Sequence, residues 1–452
     1  MSQVRYANET LNHMGQEQIR EYQESRLVRQ IEYAYANSDF YRRRFAAVGA
    51  QPGDIRTLED YYRLPILMDK EQERLAQAES LERLGHPFGA HLCCPPEDVG
   101  ITATTSGTSG LPTFTYTLAN EDMYNLAPAV QMMVGLAGLG WGDRILFSYA
   151  LGIYATSVAL PPLRRAGILP IDVDVRTGAD GILMYAALTQ PAAAMTTPSL
   201  AQYLVQRAQE VGSDVREMGL KGLFLVGEIG VGVPSVKKYL EDSYGCRVYD
   251  WIGPAGQTLA FSCDSEEYHG MHAVAPDLDL YPLDLVDPDT KEHIEVTDGA
   301  EGEAVYTSLR RKALPLVRYA SGDVVRVETT TCPGCGFDGA RLFITGRADD
   351  MLIVKGVNVY PTAIKRIVNE FTPDVTGEMR IVLTEPPPRV NPPLRMRVEH
   401  GEHVREGDLT GLEERLVREL HTRLRVSPVI EWVPAGTIER AMAKTPLFQK
   451  EY

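Results

Sequence analysis

The sequence predicts an α/β protein with a large N-terminal domain and a small, mobile α+β C-terminal domain. The large domain should hold doubly wound, mainly parallel sheets plus antiparallel strands. Three observations carry this. At 452 residues the chain is longer than one hydrophobic core usually serves, so more than one domain is expected. Between Gly142 and Tyr249 short apolar runs alternate with helical patterns, the pattern of strands joined by crossover helices. Past Gly346 the alternation gives way to a different order, helix, strand, loop, strand, helix, strand. The boundary is therefore placed at residue 347, giving 1–347 and 348–452.

The elements follow in order. From Gln16 to Phe45 the residues Ile19, Tyr22, Leu27, Ile31, Tyr35, Phe40 and Phe45 fall at mostly helical intervals among charges, so the opening reads as helical. RILFSYAL (144–151), GILPIDVD (167–174), PAAAMTT (191–197), KGLFLVGE (221–228) and CRVYDW (246–251) read as strands. Between them, SLAQYLVQRAQEVG (199–212) and PSVKKYLEDSYG (234–245) read as helices. YPLDLVDP (281–288), GEAVYTSL (302–309) and DVVRVET (323–329) read as antiparallel strands. In the last part a helix is expected over Thr362–Phe371 and strands over Met379–Glu385 and Leu394–His400, separated by the Pro-rich loop PPPRVNPP. A helix with Leu409, Leu412, Leu416, Leu420 and Leu424 on one stripe follows, then the strand VIEWV. No internal repeat is evident.

Composition narrows the function. The formal net charge of -16 argues against nucleic acid or an anionic membrane as a partner, since both reward basic surfaces. Two long stretches lack charge, Ile145–Leu163 and Gly181–Gln206, but prolines and hydroxyl residues interrupt both. They read as buried strands and helices rather than membrane spans. No apolar region follows the N-terminus, so no signal peptide is expected. Six cysteines in so long a chain make no disulfide framework. A cytoplasmic location is expected, and a homodimer is left open.

The sharpest chemical signal is Thr104-Thr105-Ser106-Gly107-Thr108-Ser109-Gly110-Leu111-Pro112-Thr113. Small residues expose successive backbone N–H groups to a phosphate, and hydroxyls add donors. The GK[ST] ending of a Walker loop is absent, and such a stretch alone also suits a plain surface loop. It does not stand alone. The segment resembles the SSGTTGKPT phosphate loop of phenylacetate–coenzyme A ligases, within the adenylate-forming superfamily of acyl-CoA synthetases, peptide-synthetase adenylation domains and luciferase. Further likenesses follow in the family's order. Val226-Gly227-Glu228 is similar to the GAEP segment beside adenine, and Arg318-Tyr319-Ala320-Ser321-Gly322-Asp323 to RYRTGD. Gly346-Arg347-Ala348-Asp349-Asp350-Met351, continuing through IVKGVNVYP, is similar to GRxDDMIIVRGVNVFP. Gly436-Thr437-Ile438-Glu439-Arg440-Ala441-Met442-Ala443-Lys444 resembles PGTIPRxEGK, and Asn37-Ser38-Asp39-Phe40-Tyr41-Arg42-Arg43 resembles ENVPFYRRK.

What the resemblance implies is specific. Such an enzyme activates a carboxylic acid with ATP and Mg²⁺ as an acyl-adenylate, then passes the acyl group to coenzyme A. Another acceptor, such as an amine or a carrier-protein thiol, and a catalytically degenerate nucleotide-binding homologue remain alternatives. Thr105, Ser106, Gly107, Thr108, Ser109 and Gly110 would hold phosphates. Glu228, Asp250, Asp323 and Arg347 would meet the nucleoside, and Lys444 would act at the carboxylate and α-phosphate. Without the motif, Lys444 reads as one more solvated lysine, and Asp323 with Arg347 as a salt bridge between neighbouring strands. Asp349 falls at the family's hinge, and Gly356 near the incoming thiol. Two departures stand out. Leu111 replaces the loop lysine, and in Trp251-Ile252-Gly253-Pro254-Ala255-Gly256 the last residue replaces the glutamate expected to help hold Mg²⁺, with neutral Gln257 beside it.

An aromatic, uncharged acyl pocket is expected around Phe147, Tyr149, Tyr154, Trp251 and Gly253, suiting an aryl or arylacetic acid, although aromatics also serve as plain core. Finally, Cys332-Pro333-Gly334-Cys335-Gly336 is a turn of the kind that presents two thiolates to one zinc. Two free thiols are the alternative. Family relatives add an upstream Cys and a GxH, matched by Cys263 and Gly270-Met271-His272, which implies a closed structural zinc site with His269 as rival to His272.

Overall fold

The computed structural model describes residues 4–104, 112–228, 230–355, 357–439 and 446–452. Five parallel strands lie side by side in the order Leu169–Asp172, Arg144–Phe147, Ala193–Thr196, Gly222–Leu225 and Arg247–Ile252. Four fall inside the segments expected to be strands, and the fifth overruns its segment by one residue, Ile252. Their side chains alternate between two cores. Ile145, Phe147, Met195, Phe224 and Tyr249 pack with Val130, Met133 and Leu163 from the helices Ala127–Leu136 and Leu160–Arg165. Leu146, Ala194, Leu223, Leu225 and Val248 pack with Ile182, Leu204 and Leu240 from the helices Gly178–Thr189, Pro198–Glu210 and Pro234–Tyr244. Helices on both faces make both strand faces apolar, which is why these strands read as continuous apolar runs. The doubly wound expectation holds.

The same sheet continues past Arg247–Ile252. Two short antiparallel strands, Ala260–Phe261 and Met271–Ala273, join it to Arg341–Arg347, Tyr319–Glu328, Glu301–Tyr306, Leu285–Val286 and His293–Ile294. The opening helical segment is two helices, Gln16–Asn37 and Asp39–Ala47, broken where Ser38 turns extended and its hydroxyl donates to the Ala90 carbonyl at 2.9 Å. The apolar period runs on across the break because both helices pack on one core with the antiparallel strands. Arg318 ties these layers together. It is 1% exposed, and its Nη1 lies 2.7 Å from Oδ1 of the buried Asp284, which also accepts from the Tyr61 hydroxyl at 2.8 Å.

From Leu352 onward the chain builds a core of its own, including Leu352, Ile364, Ile367, Ile381, Met396, Leu412, Leu416 and Leu420. The leucine stripe of the helix Leu409–Leu424 supplies its three central residues to this core, with Leu409 and Leu424 half-buried at the ends. A four-stranded sheet runs in the order Val429–Val433, Arg395–His400, Val375–Leu383, Phe448–Lys450. The Pro-rich loop is not all loop. Arg389–Val390 pairs in parallel with Leu352–Val354. Among the described residues no helix is long and apolar enough to cross a membrane. The two uncharged stretches fall instead in core strands and helices.

Candidate active site

A cleft of about 1960 Å³ opens where the carboxyl ends of the parallel strands meet the antiparallel strands and the C-terminal residues. Crevices beyond the carboxyl ends of parallel strands are where α/β sheets take ligands, because chain reversal leaves room and unpaired backbone there. Glu228 reaches it from the loop after Gly222–Leu225, and Asp250, Trp251 and Gly253 from the end of Arg247–Ile252.

On the antiparallel side, Asp323 and Arg347 sit directly opposite each other in neighbouring strands. Arg347 Nη1 donates to Asp323 Oδ1 at 2.6 Å, and the Tyr306 hydroxyl donates to Asp323 Oδ2 at 3.1 Å. The rest of the guanidinium grips Asp349 in a fork, Nε to Oδ1 at 2.8 Å and Nη2 to Oδ2 at 3.0 Å. Asp349 lies in the single turn Ala348–Asp350 that connects the large sheet to the strand Leu352–Val354. The cross-strand ion pair weighed from the sequence is therefore present, and it is held at the mouth of a cleft rather than on an open surface.

Asp250 behaves differently. Burial pushes its carboxyl up to about 7, although hydrogen bonds from the Tyr268 hydroxyl, at 2.8 Å, and the Trp251 amide pull the other way. A carboxyl poised in this way is half protonated near neutrality. Sequence reasoning missed Tyr268, Tyr306 and Tyr116, all of which line the cleft. Only strand alternation could have hinted at Tyr306, because it is the register with Tyr319–Glu328 that brings it to Asp323.

The acyl pocket expectation needs correction. Trp251 and Gly253 line the cleft, but Phe147 and Tyr149 do not. They are 0% and 3% exposed in the core under the helix Ala127–Leu136, edge to face at 4.8 Å, and the Tyr149 hydroxyl donates to the Thr196 carbonyl at 3.0 Å. Alternation along the strand Arg144–Phe147 sends Phe147 to the helix-covered face, and Tyr149 continues that face beyond the strand end. Tyr154 is half-buried beside Thr104, whose amide donates to the Ile153 carbonyl at 2.7 Å. Thr105, Ser106, Gly107, Thr108, Ser109, Gly110, Leu111, Gly356 and Lys444 lie outside the described residues.

At the turn after Trp251, Gly256 has φ +68, and a Cβ there would meet Val158 and Tyr116 at 3.4 and 3.6 Å. Gln257 is 4% exposed, and among the described residues neither side-chain amide atom has a hydrogen-bond partner. The turn brings no carboxylate, so these residues do not themselves fit a Mg²⁺ ion, a hard cation that prefers charged oxygen ligands.

Away from the cleft the cysteine turn finds its partners. One ligand atom each from Cys263, His272, Cys332 and Cys335 lies within 4.8 Å of all the others. Cys335 Sγ is 3.3 Å from His272 Nε2, close to the edge of about 3.5 Å in a zinc tetrahedron built from normal bond lengths. His272 Nδ1 is 3.0 Å from the Phe261 carbonyl, which favours the tautomer that leaves Nε2 free for a metal. His269 is outside the group. Three cysteines and a histidine with no open position fit a closed, structural zinc site rather than a catalytic one.

Comparison with known proteins agrees with this geometry. Residues 356–449 match the family model "AMP-binding enzyme C-terminal domain". Phenylacetate-coenzyme A ligase of Thermus thermophilus is 28% identical over 453 residues, covering 95% of this chain and 96% of that one. The structure superposes on 2-hydroxyisobutyryl-CoA ligase in its postadenylation state with R3-HIB-AMP at a TM-score of 0.83, with 28% identity over 97% of this chain and 90% of that one. Against the same ligase with 2-HIB-AMP and CoA in the thioesterification state, the TM-score is 0.66 at 29% identity, over the same shares of the two chains. Along 95% of its length the chain therefore resembles phenylacetate-coenzyme A ligases, and its C-terminal residues 356–449 resemble the C-terminal domain of AMP-binding enzymes.

Proposed function

We propose that this chain joins an aromatic carboxylic acid, of the aryl or arylacetic kind, to coenzyme A in two steps at one cleft. The observation that carries the reading is the Asp323–Arg347–Asp349 chain of charge. It joins Asp323, the carboxylate we assign to the ribose, its guanidinium partner and Asp349, the residue we assign to the hinge, in one hydrogen-bonded line along the cleft. In the first step a carboxylate oxygen of the acid attacks the α-phosphorus of ATP, the bond to the bridging oxygen breaks, and pyrophosphate leaves. In the second, the sulfur of CoA attacks the acyl carbon, the bond to AMP breaks, and the thiol proton passes to solvent.

Each residue has a task in this scheme. Asp323 accepts from ribose hydroxyls and is held in place by Tyr306 and Arg347. Asp250 and Glu228 face the base end. Lys444, carried over from the motif around it, neutralises charge as pyrophosphate departs and is not needed when a thiol attacks a carbonyl. The small domain, residues 348–452, turns about Asp349 between steps so that one acyl group is served twice. Zinc held by Cys263, His272, Cys332 and Cys335 would fasten the loop between Tyr319–Glu328 and Arg341–Arg347 to the short strands that join the two halves of the sheet.

A second reading of the acid has a specific ground. The ligase with the 0.83 superposition forms an adenylate of a small hydroxy acid at the same 28% identity. ATP–pyrophosphate exchange across benzoic, arylacetic and short branched hydroxy acids separates the two. Exchange confined to the hydroxy acids overturns the aromatic assignment, and exchange with none overturns adenylation itself. For the two-step scheme, Lys444→Ala should lower exchange by about 10² or more while leaving thioester formation from synthetic acyl-adenylate near wild type.

A further inference from the structure

The strand Arg341–Arg347 is supported unequally on its two sides. Toward Tyr319–Glu328 it is paired along its length, but toward Met271–Ala273 it pairs only at Arg341 and Leu342. Its register also slips between Ile344 and Gly346, so Thr345 bulges out of the ladder. The strand's last third therefore offers carbonyls outside the ladder, and backbone carbonyls in a covered position need partners. Side chains from the other domain supply them. Thr362 Oγ1 donates to the Thr345 carbonyl at 3.0 Å, and Arg366 Nη2 donates to the Ile344 carbonyl at 3.0 Å. At the far end of the same helix, the Asn369 carbonyl accepts from Ser235 Oγ of the large domain at 3.0 Å. Residues 362, 366 and 369 share one helix face at the spacing of successive turns, while Ile364, Ile367 and Val368 are buried in the small-domain core. The ring of Tyr360 closes the dock over Gly346, where a Cβ would stand 2.5 Å from the ring Cγ.

We propose that the helix Pro361–Asn369 is the latch of the small domain, with Thr362 and Arg366 as positioning residues that hold the arrangement used for adenylation. This rests on the two-step reading above. The chemistry suits a latch. Among the described residues Thr362, Arg366 and Ser235 each act through one hydrogen bond to a backbone carbonyl, of modest net strength, and the small-domain core contains no large-domain residue. Such a contact holds one arrangement and still lets go. Turning about the Ala348–Asp350 segment would move Thr362 and Arg366 off the strand end and Asn369 off Ser235 together, so the latch opens as a unit. The better superposition on the postadenylation state than on the thioesterification state, 0.83 against 0.66, fits a closed latch in this structure.

The test uses the full chain carrying Thr362→Val and Arg366→Ala together, with Gly346→Ala as an independent variant that wedges a methyl under Tyr360. Small-angle X-ray scattering should show the small domain displaced in both variants relative to wild type. Pyrophosphate exchange should fall by about tenfold or more in the double variant, the scale for losing two such hydrogen bonds. Thioester formation from synthetic acyl-adenylate and CoA should persist or rise, and Arg366→Lys in the Thr362 background should keep most of the exchange. A residue with a merely structural role would depress both half-reactions together, and that result overturns the latch. Scattering identical to wild type overturns it as well. If wild type itself shows no exchange with any acid, the two-step reading fails, and the scattering comparison still decides whether these contacts hold the domain.

Discussion

Replacing Cys332 by serine tests the cysteine turn where it is most exposed to refutation. Cys332 is 1% exposed, and its turn is closed by two backbone bonds, Cys332 N–H to the Phe337 carbonyl and Gly336 N–H to the Cys332 carbonyl. The backbone alone can thus hold the turn, and serine fits the space, so a loss must come from the missing thiolate. A site filled at a thousand times its dissociation constant stabilises the fold by about 4 kcal/mol. Losing one of four ligands removes most of this, which for a protein of this size lowers the melting temperature by about 3 to 4 °C. Metal analysis of the purified wild type should find about one zinc per chain, absent from Cys332→Ser and from Cys263→Ser. His269→Ala is the control, since His269 stands outside the ligand group, and it should keep both metal and melting temperature. Metal-free wild-type protein of unchanged stability after dialysis against a chelator would refute the site. An equal loss in His269→Ala would refute the choice of histidine.

Two other outcomes follow from the cleft. Gly256→Glu places a carboxylate where the turn has none. It should lower the Mg²⁺ concentration for half-maximal pyrophosphate exchange while costing about 1 kcal/mol in stability, because a side chain at φ +68 is strained; loss of activity at every Mg²⁺ concentration would mean that the space serves the acid instead. Asp250, raised to about 7 by burial, binds more protons in the folded than in the unfolded state between about pH 4 and 7. It therefore makes stability fall as pH rises through that window. Asp250→Asn should flatten the slope, as read by melting temperature against pH, and an unchanged slope would mean that the carboxyl is not the titrating group.

How far the sequence could be read depended on whether the deciding contact was local. The five parallel strands were legible because each is apolar on both faces, and the reason is visible in the two cores that take alternate residues of the same strand. The leucine stripe of Leu409–Leu424 was legible for the same local reason. The break at Ser38 was not, because the apolar period continues through it and the partner that fixes it, the Ala90 carbonyl, is far along the chain.

The site divides along the same line. Cys263, His272, Cys332 and Cys335 could be grouped only through a family likeness, and the structure brings their ligand atoms together although they come from three separate segments. The aromatic residues misled because side-chain type says nothing about which side of a sheet end faces the cleft. Phe147 belongs to a strand whose alternate residues are divided between two covered faces, and Tyr149 continues Phe147's face with its hydroxyl spent on a backbone carbonyl. Arg318 makes the complementary case. It opens the motif that ends in Asp323, yet it is buried against Asp284 and Tyr61 and supports the layer beneath the cleft. A motif can therefore contain residues of both kinds, and what separates them is where their charge is met. Arg318 meets its charge inside the fold, whereas Arg347 meets it at the cleft mouth, between Asp323 and the segment about which the small domain would have to turn.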